Sequence, residues 1–159
     1  MDLLEAKSRI AEALVESIFR RARYDVAPFK IDQSLLRFGR EEFSPAFRVS
    51  QTVDGELRSY LVAVKYRTSA EQFISVENQR GDRSIFQMMR RHWPTLCFVL
   101  VTERPEPGRS CFQAVLFETM RAGESRTVDL GAVKDFDLFP HNVEDHEELV
   151  RRIFGSLNA

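Results

Sequence analysis

Hydrophobic and polar positions change period several times along the chain, and each change marks an element. Between residues 3 and 23 the apolar residues Leu3, Leu4, Ile10, Ala11, Leu14, Val15, Ile18 and Phe19 fall on one face at about 100° per residue. Glu5, Arg9, Glu12, Glu16, Arg20 and Arg23 lie opposite, and Glu5/Arg9 and Glu16/Arg20 have the i,i+4 spacing that supports a helix. The pattern predicts an amphipathic helix followed by a short strand over 24–30. Residues 31–42 are polar and read as a connector. Two strand-like runs, 47–53 and 57–67, then flank Asp54-Gly55, a strong hairpin signal.

Residues 68–81 read as a polar loop, in which Phe73-Ile74-Ser75-Val76 could extend a sheet edge. Asp82 can cap a helix running to Trp93, which Pro94 stops. Residues 96–102 are continuously apolar, the mark of a strand covered on both faces. The loop Arg104-Pro105-Glu106-Pro107-Gly108 leads to a further strand over 111–118. Asn142 can cap a last helix over 143–154, with Gly155 placed to end it. The predicted order is α-β-β-β-α-β-β-α, a mixed α/β domain over 1–159 with a central mixed sheet flanked by helices.

Composition narrows the function classes. The 159 residues suit one domain with a real core, and 13 Phe argue for a dense aromatic interior. A net charge of −1 excludes nucleic-acid binding by bulk charge but leaves room for a local basic face. The longest uncharged apolar run is too short to cross a membrane, and the start, Met1-Asp2-Leu3-Leu4-Glu5, lacks the order of a signal peptide. Two cysteines, Cys97 and Cys111, without CxxC spacing point to free buried thiols and a cytoplasmic location. His92, His141 and His146 do not stand at zinc-ligand spacings. Of the 23 basic residues only Lys7, Lys30, Lys65 and Lys134 are lysine, and the rest are arginine. A GC-rich genome accounts for that bias, and so does phosphate recognition by guanidinium groups.

The chemistry concentrates in Ser44-Pro45-Ala46-Phe47-Arg48-Val49 and Tyr60-Leu61-Val62-Ala63-Val64-Lys65-Tyr66-Arg67, on the two arms of the predicted hairpin. Side chains alternate along a strand, so Ala63 and Lys65 share one face and Val62, Val64 and Tyr66 the other. The apolar side is the expected core side, which leaves Lys65 pointing to the face where a site can form. These segments resemble the PD-(D/E)XK nuclease superfamily, in which Pro-Asp begins one strand and acid-x-Lys lies on its hairpin partner. The resemblance takes in the leading helix, the hairpin, the crossover helix and the apolar strand after it. It implies a restriction-endonuclease-like three-layer core.

In that family two acids hold a divalent cation, usually magnesium, and the lysine orients the attacking water. The resemblance places the proline on Pro45 and the lysine on Lys65, but the two acids on Ala46 and Ala63. No metal ligand stands at either position, so no metal cofactor is expected. The same match puts a helix-1 acid on Glu12 and a crossover-helix glutamine on Gln87. It also leads us to expect Ala63 and Lys65 in a shallow concavity beside Ala46 and the first helix.

By helical phase Gln87 shares its face with Arg83, Arg90 and Arg91. With Lys65 and Arg67 these three arginines form a candidate nucleic-acid-binding set. The resulting expectation is a nuclease-like protein without metal-dependent cleavage that binds DNA weakly and in a salt-sensitive way, or carries a regulatory role. Two alternatives stay open. One is an active nuclease whose acids have moved to Glu12, Glu77 or Asp82. The other is a protein-interaction module on the same fold.

Overall fold

The structure, a computed structural model, describes residues 2–29, 37–38, 41–42, 44–116 and 125–158. Asp2 accepts a hydrogen bond from the Glu5 amide (2.7 Å) and starts α1 (Leu3–Arg21), on which the Glu5–Arg9 and Glu16–Arg20 pairs form as their spacing predicts. Arg23, at a positive φ of 70°, turns the chain into β1 (Asp25–Pro28). β2 (Arg37–Phe38) and β3 (Glu41–Glu42) form a separate antiparallel pair, and the rest of the 31–42 connector lies outside the described residues. β4 (Phe47–Val53) and β5 (Glu56–Tyr66) make the predicted hairpin. Asp54 and Gly55 both take positive φ (52° and 81°), the twist that a two-residue turn between right-twisted strands requires.

The stretch read as a polar loop is a helix, α2 (Ala70–Gln79). Ser69 Oγ accepts from the Gln72 amide (3.2 Å), and Ala70, Ile74 and Glu77 bury one face at helical spacing. Phe73 to Val76 therefore do not extend an edge. A 3₁₀ turn (Gly81–Arg83) follows, and Ser84 rather than Asp82 caps α3 (Ile85–His92), its Oγ accepting from the Gln87 amide at 3.1 Å. β6 (Leu96–Val101), β7 (Phe112–Leu116), β8 (Val128–Asp129) and α4 (Pro140–Asn158) complete the chain. The predicted strand over 117–118 lies outside the described residues.

α4 is longer than predicted at both ends. Pro140 opens it, where the missing N–H leaves no gap. Asn142 is inside the helix and donates its side-chain amide to the Ile18 carbonyl (2.9 Å), and Gly155 remains helical instead of ending it.

The sheet runs β1-β4-β5-β6-β7-β8, with every neighbour antiparallel except β5 and β6, which are parallel and joined by the α2–α3 crossover. Alternation on the two central strands sends side chains to opposite helices. Val62, Val64, Tyr66, Cys97, Val99 and Val101 pack with α1 and α4. Leu61, Ala63, Leu96, Phe98 and Leu100 pack with α2 and α3. The result is a mixed α/β fold with helices on both faces of a mixed sheet, and β5 has no polar face in its central stretch. Among the described residues no helix is long and apolar enough to cross a membrane.

Candidate functional site

The candidate site forms where β4 stops short of the end of β5. Phe47 pairs with Val62, so no described strand lies beside residues 63–66 on that side. Ala46 donates its amide to the Val62 carbonyl (2.7 Å), and α1 covers the remaining edge, with Ser8 Oγ accepting from the Tyr66 amide at 3.0 Å. Ser8 and Glu12 lie one turn apart on α1, which brings Glu12 beside the Lys65 end of β5. Burial raises the Glu12 carboxyl above the usual range, while the positive charges of Lys65 and Arg9 pull it back. The two residues matched by resemblance on α1 and β5 are therefore near enough to interact electrostatically. Glu12 and Lys65 are both half-buried.

The two alanines are not in a shallow concavity. Ala63 is 2% exposed and belongs to the core under α3, and Ala46, half-buried, packs against the core under α1. The reason is that the crossover covers the face that sequence alternation leaves to solvent. Among the described residues no three His, Cys, Asp or Glu side chains stand together as a metal-binding group.

Gln87 differs from its predicted wet position. It is half-buried, and its Nε2 is enclosed without a hydrogen-bond partner among the described residues. The arginines around it divide into groups. Arg83 and Arg91 are exposed on the 3₁₀ turn and the last turn of α3, and Arg90, half-buried, accompanies them. Arg91 is steadied by a bond from Nη2 to the Asp82 carbonyl (3.2 Å). Arg67 instead lies 4.7 Å over the Phe73 ring and donates to the Tyr66 carbonyl (2.7 Å). Lys65 lies at the end of β5, where its charge acts on Glu12.

The acids named for a relocated metal site serve other ends. Glu77 is 4% exposed; its Oε1 accepts from the Ile85 amide (2.8 Å) at the start of α3, and its Oε2 pairs with Arg80 (3.4 Å). Both oxygens are engaged. Asp82 is exposed on the turn.

Sequence reasoning missed a charged cluster next to the site. Lys7, 5% exposed, reaches Glu103 (3.1 Å), Asn158 Oδ1 (2.6 Å) and the Tyr66 hydroxyl (3.5 Å). Tyr66 donates to Glu103 (2.6 Å), and Asn158 Nδ2 donates to both Glu103 oxygens (3.0 and 2.8 Å). Burial would raise the Glu103 carboxyl, but the hydrogen bonds from Tyr66, Asn158 and Lys7 hold it below the usual range. Burial and that same carboxylate raise the Tyr66 hydroxyl. The signal was available: Lys7 stands four residues before Ala11 and seven before Leu14, in phase with the apolar stripe of α1.

The thiols are buried as expected, and burial together with the Glu147 charge pushes Cys111 up to about 11, which removes it as a nucleophile. Comparison of the chain with protein-family models, with curated proteins and with solved structures finds no match.

Proposed function

We propose that the chain is a nuclease-like protein that has lost metal-dependent cleavage and binds nucleic acid through the arginines of the 3₁₀ turn and α3. The observation that carries this reading is that Lys65, at the end of β5, lies close enough to Glu12 of α1 for its charge to act on that carboxyl, while position 63 holds a buried methyl group. The lysine and the helix acid expected from the PD-(D/E)XK resemblance act on each other electrostatically, and the two positions that would carry acids hold methyl groups, Ala63 in the core under α3 and Ala46 half-buried against the core under α1. The order of elements supports the same reading: a leading helix, three antiparallel strands, a helical crossover and a parallel strand.

Binding rests on Arg83 and Arg91, the exposed pair on the 3₁₀ turn and the last turn of α3, with Arg90 beside them. Three phosphate contacts on duplex DNA give a slope of about −2.7 for log affinity against log salt. Fluorescence anisotropy with labelled duplex, single-stranded and branched DNA tests this. Binding should appear at about 50 mM salt and be abolished in the Arg83/Arg90/Arg91→Ala variant. Equal binding by that variant, or none by the wild type, removes the nucleic-acid reading and favours a protein partner. Incubation of the same DNAs with magnesium or manganese should leave them intact. Cleavage that disappears in Glu12→Ala would instead establish an active centre with a relocated acid.

A further inference from the structure

β5 is much longer than its neighbour on one side. β4 accompanies it along Glu56 to Val62, but β6 pairs only with Leu61 to Tyr66. The hairpin arm therefore runs past the described part of β6, and no described strand pairs with the outer edge of β5 from Glu56 to Ser59. In a two-residue hairpin the residues flanking the turn exchange backbone hydrogen bonds. Glu56 and Arg58 thus spend their N–H and C=O groups on β4, while Leu57 and Ser59 turn theirs outward. Leu57 is 72% exposed at the middle of this open edge. An open edge with an exposed apolar residue is a template for another strand.

We infer that the occupant of this edge is the same strand of a second copy of the chain, antiparallel about a two-fold axis through Leu57. The charges select the partner and the register. With Leu57 opposite Leu57, each Glu56 stands opposite the Arg58 of the other copy, giving two opposite-charge pairs in the closer, non-hydrogen-bonded positions. Shifting to Leu57 opposite Ser59 puts Arg58 against Arg58. Centring on Ser59 requires the slot beside Leu61, which β6 already fills at Leu96. No salt bridge engages Glu56 or Arg58 among the described residues, so both are available for the pairing. A self-complementary patch of this kind is what a two-fold dimer interface requires.

Sedimentation velocity on the whole chain over a range of concentrations tests the assignment. The wild type should show a concentration-dependent dimer. Glu56→Arg places arginine against arginine and Arg58→Glu places glutamate against glutamate, and each should weaken dimerisation by about tenfold. Mixing these two variants should restore a dimer, now heteromeric, because one copy carries two arginines and the other two glutamates. The double variant Glu56→Arg/Arg58→Glu should also dimerise. A Leu57→Cys variant should cross-link under mild oxidation, since paired Cα atoms about 5.5 Å apart accept a disulfide and the native thiols are buried. A wild type that stays monomeric at all concentrations overturns the inference. So does a dimer that the single charge reversals leave unchanged. Folding of each variant is read in the same samples from far-UV circular dichroism, and the mixing experiment reports on register even if one variant is less stable.

Discussion

Replacing Ala63 by glutamate would put a carboxylate at the position where the resemblance expects one, and the structure says what that would cost. Position 63 is 2% exposed, its side chain enclosed with Leu61, Phe98, Leu100, Phe86 and Met89 under α3. Phe98 is its direct neighbour on β6. Four extra heavy atoms beyond a methyl must be accommodated in a packed interior, which costs about 1–3 kcal/mol. The buried carboxyl adds about 1–3 kcal/mol if it is neutral and incompletely bonded, and more if it is charged. The sum, about 2–6 kcal/mol, is a large part of the stability of a domain, about 5–15 kcal/mol.

Urea unfolding of Ala63→Glu, Ala63→Gln and wild type measures this sum and separates its parts. Gln has the shape of Glu without its charge, so the Gln variant reports the packing and polar burial alone. The Glu variant should be less stable than the Gln variant at neutral pH and converge with it on acidification, because the buried carboxyl is easiest to accommodate protonated. If instead Ala63→Glu lost less than about 0.5 kcal/mol, position 63 would open to solvent and the core assigned to α3 would be wrong. If Glu were more stable than Gln at neutral pH, its carboxylate would be reaching Lys65. The reversal would then rebuild an acid–lysine pair and not merely damage a core.

Two further perturbations bear on the charged groups around α1. Since burial raises the Glu12 carboxyl, its ionised form is penalised in the folded state, and that penalty is absent at low pH and grows as pH rises from the ordinary to the raised value. Glu12→Gln should therefore be more stable than wild type at neutral pH and equal to it in acid; a Gln variant less stable at neutral pH would show that attraction to Lys65 outweighs burial. Glu103 has the opposite sign: its depressed carboxyl contributes stability above the ordinary carboxylate range, lost as pH falls through the folded value. Lys7→Met, which leaves the Glu103 charge without its ammonium, should lose about 3–5 kcal/mol at neutral pH and much less in acid, read from thermal unfolding across pH. A loss that does not change with pH would assign the role of Lys7 to packing against Tyr66 and Phe154 instead.

Local period was enough to read most of the elements, and that is why α1, the β4–β5 hairpin, β6 and α3 stand close to where their patterns place them. α2 was obscured because Glu71, Gln72, Ser75, Asn78 and Gln79 crowd its outer side, and its last inward position is a glutamate. Glu77 is buried only because it accepts the first amide of α3, a need that arises from the neighbouring element and leaves no mark on the local period. Two signals did exist: Ser69 followed by Gln72 has the spacing of a capping box, and Ala70, Ile74 and Glu77 repeat at helical intervals. The charged cluster was similarly visible in phase but not in partners, since Glu103 and Asn158 meet Lys7 across 96 and 151 residues of chain.

The site itself shows where such reading stops. Alternation along β5 assigns Ala63 and Lys65 to one side of the strand, and the structure places Ala63 and Val64 on opposite cores accordingly. What alternation does not contain is the cover on each side, and α2 and α3 cover residue 63 completely while leaving Lys65 half-exposed at the strand's end. The difference has a chemical consequence. A carboxylate at 63 needs solvent or a cation beside it, and Phe98, Leu100, Phe86 and Met89 supply neither. An apolar cover over that face and a methyl group at 63 are thus mutually required, so the missing acid and the close packing of α3 count as one feature of the fold. Lys65 lies beyond Val62, where β4 ends, and its charge acts on Glu12 of α1. The chain therefore places Glu12 and Lys65 where β4 no longer flanks β5, and hydrophobic core around Ala63. Binding through the outer arginines is compatible with both.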